Sequence, residues 1–174
     1  MGRDVIFRGR KIQVMIERTT MPGGAVVERD IVIHPGAVAI IPVVDADHIC
    51  LVRNQRFIVG AELLEIPAGT LEPGEAPDAA AVRELAEETG YRAACWEKLS
   101  EFFPSPGVLS ERTHLYLARD LTPGIMRPEQ DEALVPEVVA WREALEWAIA
   151  GKIQDAKTLI ALFLLDRRRP QYQG

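Results

Sequence analysis

Apolar and polar positions alternate with a period of two through the first third of the chain. Asp4–Arg8 reads as a short strand closed by a Gly9-Arg10 turn. Over Lys11–Thr19, Ile12, Val14 and Ile16 alternate with polar neighbours, the signal of a half-buried strand. The alternation resumes over Ala25–His34 after Met21-Pro22-Gly23-Gly24, so these two segments read as a β-hairpin. Beyond Pro35-Gly36, Ala37–Val44 is almost wholly apolar, as expected of a strand covered on both faces. Asp45-Ala46-Asp47 turns the chain. Ile49–Arg53 and Glu62–Ile66 then read as strands, the second ended by Pro67-Ala68-Gly69. Pro77–Thr89 is the first helix. Arg92–Phe103, Thr113–Ala118 and Val138–Trp141 read as strands, and Arg142–Ala150 and Ala156–Arg167 as two closing helices. This order predicts an α/β fold with helices layered on a core sheet. Residues 1–35 read as a separate β region suited to pairing with a second subunit, and residues 36–174 as the main domain.

Composition narrows the class. With 174 residues, 48% hydrophobic and 26% charged, the chain suits one globular domain and neither a disordered nor a collagen-like polymer. No apolar run approaches the ~20 residues of a membrane span, and Met1-Gly2-Arg3-Asp4 lacks the apolar core of a signal peptide. The expectation is a cytoplasmic protein without a membrane partner. The net charge of −6 counts against a nucleic-acid partner, which calls for a basic face. A polyanionic small molecule remains possible where a divalent cation bridges it to the protein. Cys50 and Cys95 stand in apolar stretches and read as buried, reduced thiols.

The most informative segment is Gly69–Tyr91. Pro77 suits a first helical position, Asp78 the positive end of the helix, and Gly90 the position past its C-terminus. At about 100° per residue, Glu84, Glu87 and Glu88 share an arc of about 100°, while Val82, Leu85, Ala86 and Ala79 fall toward an expected core side. Glu84 and Glu88 form an i,i+4 like-charge pair, which costs about 0.2–0.5 kcal/mol. Such repulsion points to a missing cation, and clustered carboxylates suit Mg²⁺ or Mn²⁺.

The segment resembles the box of the Nudix hydrolase family, G-x5-E-x7-R-E-U-x-E-E-x-G-U, where U is a bulky apolar residue. Gly69, Glu75, Arg83-Glu84, Leu85, Glu87-Glu88 and Gly90 meet every fixed position, with Tyr91 where an aliphatic residue is more usual. The resemblance implies a Nudix-type α/β/α sandwich with a mixed sheet, here with an N-terminal antiparallel β extension. It also implies Mg²⁺-dependent hydrolysis of a nucleoside diphosphate linked to another moiety, with Mn²⁺ as an alternative metal. Under it, Glu84 and Glu88 are metal ligands, Glu87 ligates directly or through water, and the Ala68 carbonyl adds an oxygen. Arg83 and Glu75 pair to fix the loop against the helix.

Residues outside the box bear on the substrate. Ser105-Pro106-Gly107, with Pro106 sixteen positions after Gly90, resembles the ADP-ribose pyrophosphatase subgroup. Gln55-Arg56 resembles that subgroup's strand end, which implies that Arg56 reaches the phosphates or terminal ribose. Glu111 is implied as a ligand of the terminal ribose or an aid to the metals. Within Glu129-Gln130-Asp131-Glu132, the resemblance implies a glutamate that activates the attacking water, Glu132 first and Glu129 second; Glu88 completes the catalytic set. The N-terminal hairpin resembles the region through which the subgroup forms homodimers, and Arg29 is a candidate to stack on the adenine of the partner's ligand. The expected reaction is ADP-ribose to AMP and ribose 5-phosphate. Two alternatives stay open: a hydrolase of GDP-mannose or another nucleotide sugar, and a non-catalytic ADP-ribose sensor.

Overall fold

The computed structural model describes residues 2–127 and 133–168. The N-terminal region is an antiparallel meander of β1 (Gly2–Arg8), β2 (Gln13–Thr20) and β3 (Val26–Ile33). A four-stranded sheet follows, ordered β7 (Ala68–Thr70), β4 (Ala37–Pro42), β9 (Thr113–Thr122) and β8 (Arg92–Phe102). It is mixed, because β4 pairs parallel with β9 and antiparallel with β7. A third sheet, ordered β10 (Leu134–Ala140), β5 (His48–Arg56) and β6 (Ala61–Glu65), is antiparallel. The helices are α1 (Pro77–Thr89), α2 (Trp141–Ile149) and α3 (Ala156–Arg168).

Strand alternation explains the layering. Successive side chains of a strand point to opposite faces. Val38 and Ile40 of β4, with Tyr116 and Ala118 of β9, pack against Ala80, Ala81 and Leu85 of α1. Their neighbours Ala39, Ile41, Leu115 and Leu117 belong instead to the larger core with Ile49, Leu51, Ala144, Ala161 and Leu162. The apolar run in β4 is thus covered on both faces, and the central sheet lies between α1 and the layer holding α2 and α3. The expected α/β/α architecture holds.

Several element bounds differ from the sequence expectation. Pro67-Ala68-Gly69 reads in sequence as the end of a strand; three residues around a glycine carry no period, yet Ala68–Thr70 pair with β4, and the Pro67 carbonyl accepts the Ile40 N–H at 2.9 Å. β5 continues to Arg56, and β9 to Thr122. β10 begins at Leu134 despite Pro136, which a strand at the edge of its sheet tolerates. Trp141 opens α2 instead of ending a strand. Cys50 is buried, which pushes its thiol up to about 11, but Cys95 is only partly buried, contrary to expectation.

The N-terminal sheet is tied to the main body through the turn after β8. The Val32 N–H donates to the Val108 carbonyl at 2.8 Å, and the Ser110 N–H to the Val32 carbonyl at 2.9 Å. The Ser110 hydroxyl accepts the His34 N–H at 2.9 Å. Among the described residues no helix is long and apolar enough to cross a membrane.

Candidate active site

The site is organised by α1. Pro77 fits its first turn, and Gly90 ends it in the left-handed region at φ 75°, with its N–H on the Ala86 carbonyl. A Cβ at Gly90 would also stand 2.9 Å from the Met126 nitrogen, so this position is restricted twice.

The buried face of α1 corrects the helical-wheel expectation. Its buried residues are Ala80, Ala81, Glu84, Leu85 and Glu88, whereas Val82 is 51% exposed. Glu84 and Glu88, at 7% and 3% exposed, face inward, because polar partners await them there. Glu88 Oε2 accepts the Ala68 N–H of β7 at 3.0 Å. Glu84 Oε1 accepts from Arg83 Nη1 at 2.7 Å. Glu84 also lies over Gly69, where a Cβ would meet Oε1 at 1.8 Å. The glycine that opens the box is therefore a gap filled by a carboxylate.

The expected uncompensated repulsion along the acidic stripe is also corrected. Arg83 Nη1 donates to Glu87 Oε2 at 3.0 Å as well as to Glu84, an i,i+4 ion pair that the spacing already contained. Its Nε and Nη2 engage Glu75 Oε1 and Oε2, each at 2.9 Å, as the resemblance implied. The Glu75 carboxylate holds the Arg83 guanidinium more firmly protonated than usual, and Arg83 in turn holds Glu75 below the ordinary carboxylate range. Glu75 Oε2 further accepts the Glu72 N–H at 3.0 Å, closing the loop.

Among the described residues no group of three His, Cys, Asp or Glu side chains is gathered ready around one metal position. The donor set nonetheless fits a hard dication. Three carboxylates, two of them buried, stand on one helix beside β7, and Gly69 leaves space for Glu84 that any Cβ would fill.

Beside this stripe is a cavity of about 590 Å³ between the β1–β2 turn, the end of β3, β7 with the loop after it, and α1. Arg10, Lys11, Arg56 and Arg83 line it against the carboxylates of Glu72 and Glu84, so its walls suit a polyanion. Gly69 and Ala68 form part of the same lining. In sequence Arg10 and Lys11 read only as turn and strand-start residues; nothing local says that the β1–β2 turn comes to lie beside β7 and α1.

The other candidates fall as follows. Arg56 lines the cavity and is paired with Glu65 through Nε and Nη2 at 2.7 and 2.6 Å. Glu111 accepts the Thr113 hydroxyl at 2.9 Å. Glu111 lies close enough to His34 to favour its protonation, although burial, the larger effect, lowers the His34 pKa. Arg29 is exposed on β3 opposite Glu17 and does not line this cavity. Glu129 and Glu132 lie outside the described residues.

Comparison with known proteins follows the same lines. The NUDIX domain family matches residues 33–163. The chain is 39% identical over 164 residues to the ADP-ribose pyrophosphatase of Bacillus subtilis (strain 168), covering 93% of this chain and 89% of that protein. It is 38% identical over 159 residues to the methanol dehydrogenase activator of Bacillus methanolicus, covering 90% and 86%. The crystal structure of an ADP compounds hydrolase superposes with a TM-score of 0.87 at 24% identity, over 99% of this chain and 94% of the other, which establishes a common fold.

Proposed function

The chain belongs to the NUDIX domain family, and on that premise we propose that it hydrolyses the pyrophosphate bond of ADP-ribose, with Mg²⁺, to AMP and ribose 5-phosphate. One observation carries the reading. The buried Glu84 stands at the wall of a cavity lined by four cationic side chains, with the buried Glu88 one turn further along the same helix, in a chain similar to an ADP-ribose pyrophosphatase.

Glu84 and Glu88, with Glu87 directly or through water and the Ala68 carbonyl, are the groups that would hold Mg²⁺ or Mn²⁺. Bound there, the metal supplies charge neutralisation on the diphosphate and a water of lowered pKa. Arg10, Lys11 and Arg56 draw the diphosphate into the cavity and orient it by charge-assisted hydrogen bonds. The Ala68 N–H fixes the Glu88 carboxylate. Arg83, braced on Glu75, sets the orientations of Glu84 and Glu87. Glu111 binds the terminal ribose. Glu132, with Glu129 as second candidate, takes a proton from the attacking water. The exposed apolar residues of β1, Val5, Ile6 and Phe7, support a homodimer through the N-terminal sheet, in which Arg29 stacks on the adenine bound to the partner. The two free thiols support a reducing, cytoplasmic setting.

The test is a substrate panel with Mg²⁺, with products separated by chromatography. AMP and ribose 5-phosphate from ADP-ribose are expected. A larger kcat/KM for GDP-mannose overturns the substrate assignment, and ligand binding without turnover of any nucleotide sugar favours a sensor.

A further inference from the structure

Glu65 closes β6 and is only 1% exposed. A buried carboxylate is costly unless it is paired and hydrogen-bonded, and this one holds two cations. Arg56 Nε donates to Oε1 at 2.7 Å and Arg56 Nη2 to Oε2 at 2.6 Å. Lys157 Nζ stands 3.8 Å from Oε2 and 2.6 Å from Asp155 Oδ1. Asp155 Oδ2 accepts the Thr158 N–H and hydroxyl at 2.9 and 2.6 Å, and Thr158 Oγ1 accepts the Ile66 N–H at 2.9 Å. The carboxylate is thus set by β6, by the start of α3 and by the end of β5.

The register explains how Arg56 reaches it. Glu65 lies opposite Val52 on β5, and positions 52 and 56 share one face of the strand. The Arg56 side chain therefore runs back along β5 to its partner. A guanidinium carries five N–H donors and two edges able to make paired bonds. The Nε/Nη2 edge goes to Glu65. Among the described residues the side-chain hydrogen bonds of Arg56 all end there, which leaves the Nη1/Nη2 edge for another anion. Arg56 is partly exposed and lines the same cavity as Gly69 and Glu84. Glu65, by hydrogen bonding first, and then the charges of Asp155 and Glu88 keep the guanidinium more firmly protonated than usual.

We propose that Glu65 is a positioning residue for the diphosphate site: its buried carboxylate takes one edge of Arg56 and so presents the other edge to the substrate's phosphates. The proposal rests on the assignment of a nucleoside diphosphate substrate to the cavity, but its test does not need turnover.

The full chain and its E65Q, E65D and R56K variants are titrated with ADP plus Mg²⁺ by calorimetry and assayed with ADP-ribose. E65Q loosens Arg56 and lowers the Tm, since a buried ion pair loses one charge, but Asp155 still holds Lys157 and Thr158, so the titrations are run well below its Tm, where the variant is fully folded. Its ADP Kd and its KM rise about tenfold, while kcat stays within about threefold. E65D, too short to span both nitrogens, is affected in the same direction. R56K loses the fork and matches E65Q, and the E65Q/R56K double variant is no worse than its weaker single parent. An E65Q variant with the parental Kd and KM overturns the proposal, as do losses explained by a lower folded fraction or losses that multiply in the double variant. If the parent binds ADP but leaves ADP-ribose intact, the substrate assignment fails alone, and the Kd comparison still decides the role of Glu65.

Discussion

Replacing Gly69 by alanine separates the site from the scaffold. The backbone of Gly69 is outside the left-handed region, so alanine meets no conformational barrier. The new Cβ would stand 1.8 Å from Glu84 Oε1, 2.0 Å from Cδ and 2.4 Å from Oε2, where ordinary contact begins near 3.4 Å. The carboxylate must therefore retreat by about 1.6 Å, a displacement that costs about 1–3 kcal/mol where the surroundings are well packed. The end of a glutamate side chain can move, so the fold survives. Catalysis does not tolerate such a shift, since a misplacement of about 1 Å costs about 100-fold in rate, equivalent to about 2.7 kcal/mol of barrier. The assay pairs ADP-ribose hydrolysis across a Mg²⁺ titration with thermal melting. Gly69→Ala should lose at least about 100-fold in kcat/KM while still melting cooperatively. Gly74→Ala is the converse control. Nothing lies within 4 Å of its Cβ, but its φ is +78°. It should lose about 1 kcal/mol of stability and keep its turnover. Parental kcat and Mg²⁺ dependence in Gly69→Ala would refute the placement of Glu84 in the reaction.

Further expectations concern the ligands, the loop and the subunit contact. Glu88→Gln keeps an oxygen for the Ala68 N–H but loses the charge; kcat should fall about 100-fold or more with little change in Tm, whereas unchanged turnover would remove Glu88 from the catalytic set. Glu75 is depressed in the folded state, first by its hydrogen bond from Arg83. Its stabilising contribution is therefore present above the unfolded value of about 4.3 and is lost as pH falls through the folded value. Melting curves of the parent and Glu75→Gln should accordingly differ at about pH 6 and converge as the pH falls below the ordinary carboxylate range; a constant gap would refute the pair's role. Phe7→Glu places a charge on the exposed β1 and should convert the proposed homodimer to a folded monomer by light scattering; a monomeric parent, or a variant that keeps a dimer's mass, would refute the proposed interface.

Much of this architecture was legible because it rests on periodic signals. The strands read from the two-residue alternation, the apolar run in β4 and the spacing of the box all appear in three dimensions, although β1 is exposed throughout and Gln13–Glu17 of β2 are half-buried without alternation. The side of α1 that is buried was not legible. A hydrophobic wheel sends Val82 inward and glutamates outward, but burial follows partners, and the partners of Glu84 and Glu88 are Arg83 and a backbone N–H from β7. β7 itself is too short to carry a period, and its existence depends on β4 beside it. The cationic lining was hidden for the same reason. Arg10 and Lys11 are distant in sequence from Arg56 and Arg83, and only the folding back of the hairpin gathers them.

The hydrogen bonds from Val32 and Ser110 join the amino-terminal meander to the turn after β8. That turn contains Ser105-Pro106-Gly107, and the meander it anchors carries Gly9–Gln13 and Ile33 of the cavity wall. Lengthening it would loosen the anchorage and the pocket together, whereas lengthening the Met21–Gly24 reverse turn at the far end would disturb neither. The two turns look equally ordinary as strings of letters, but only one is open to drift.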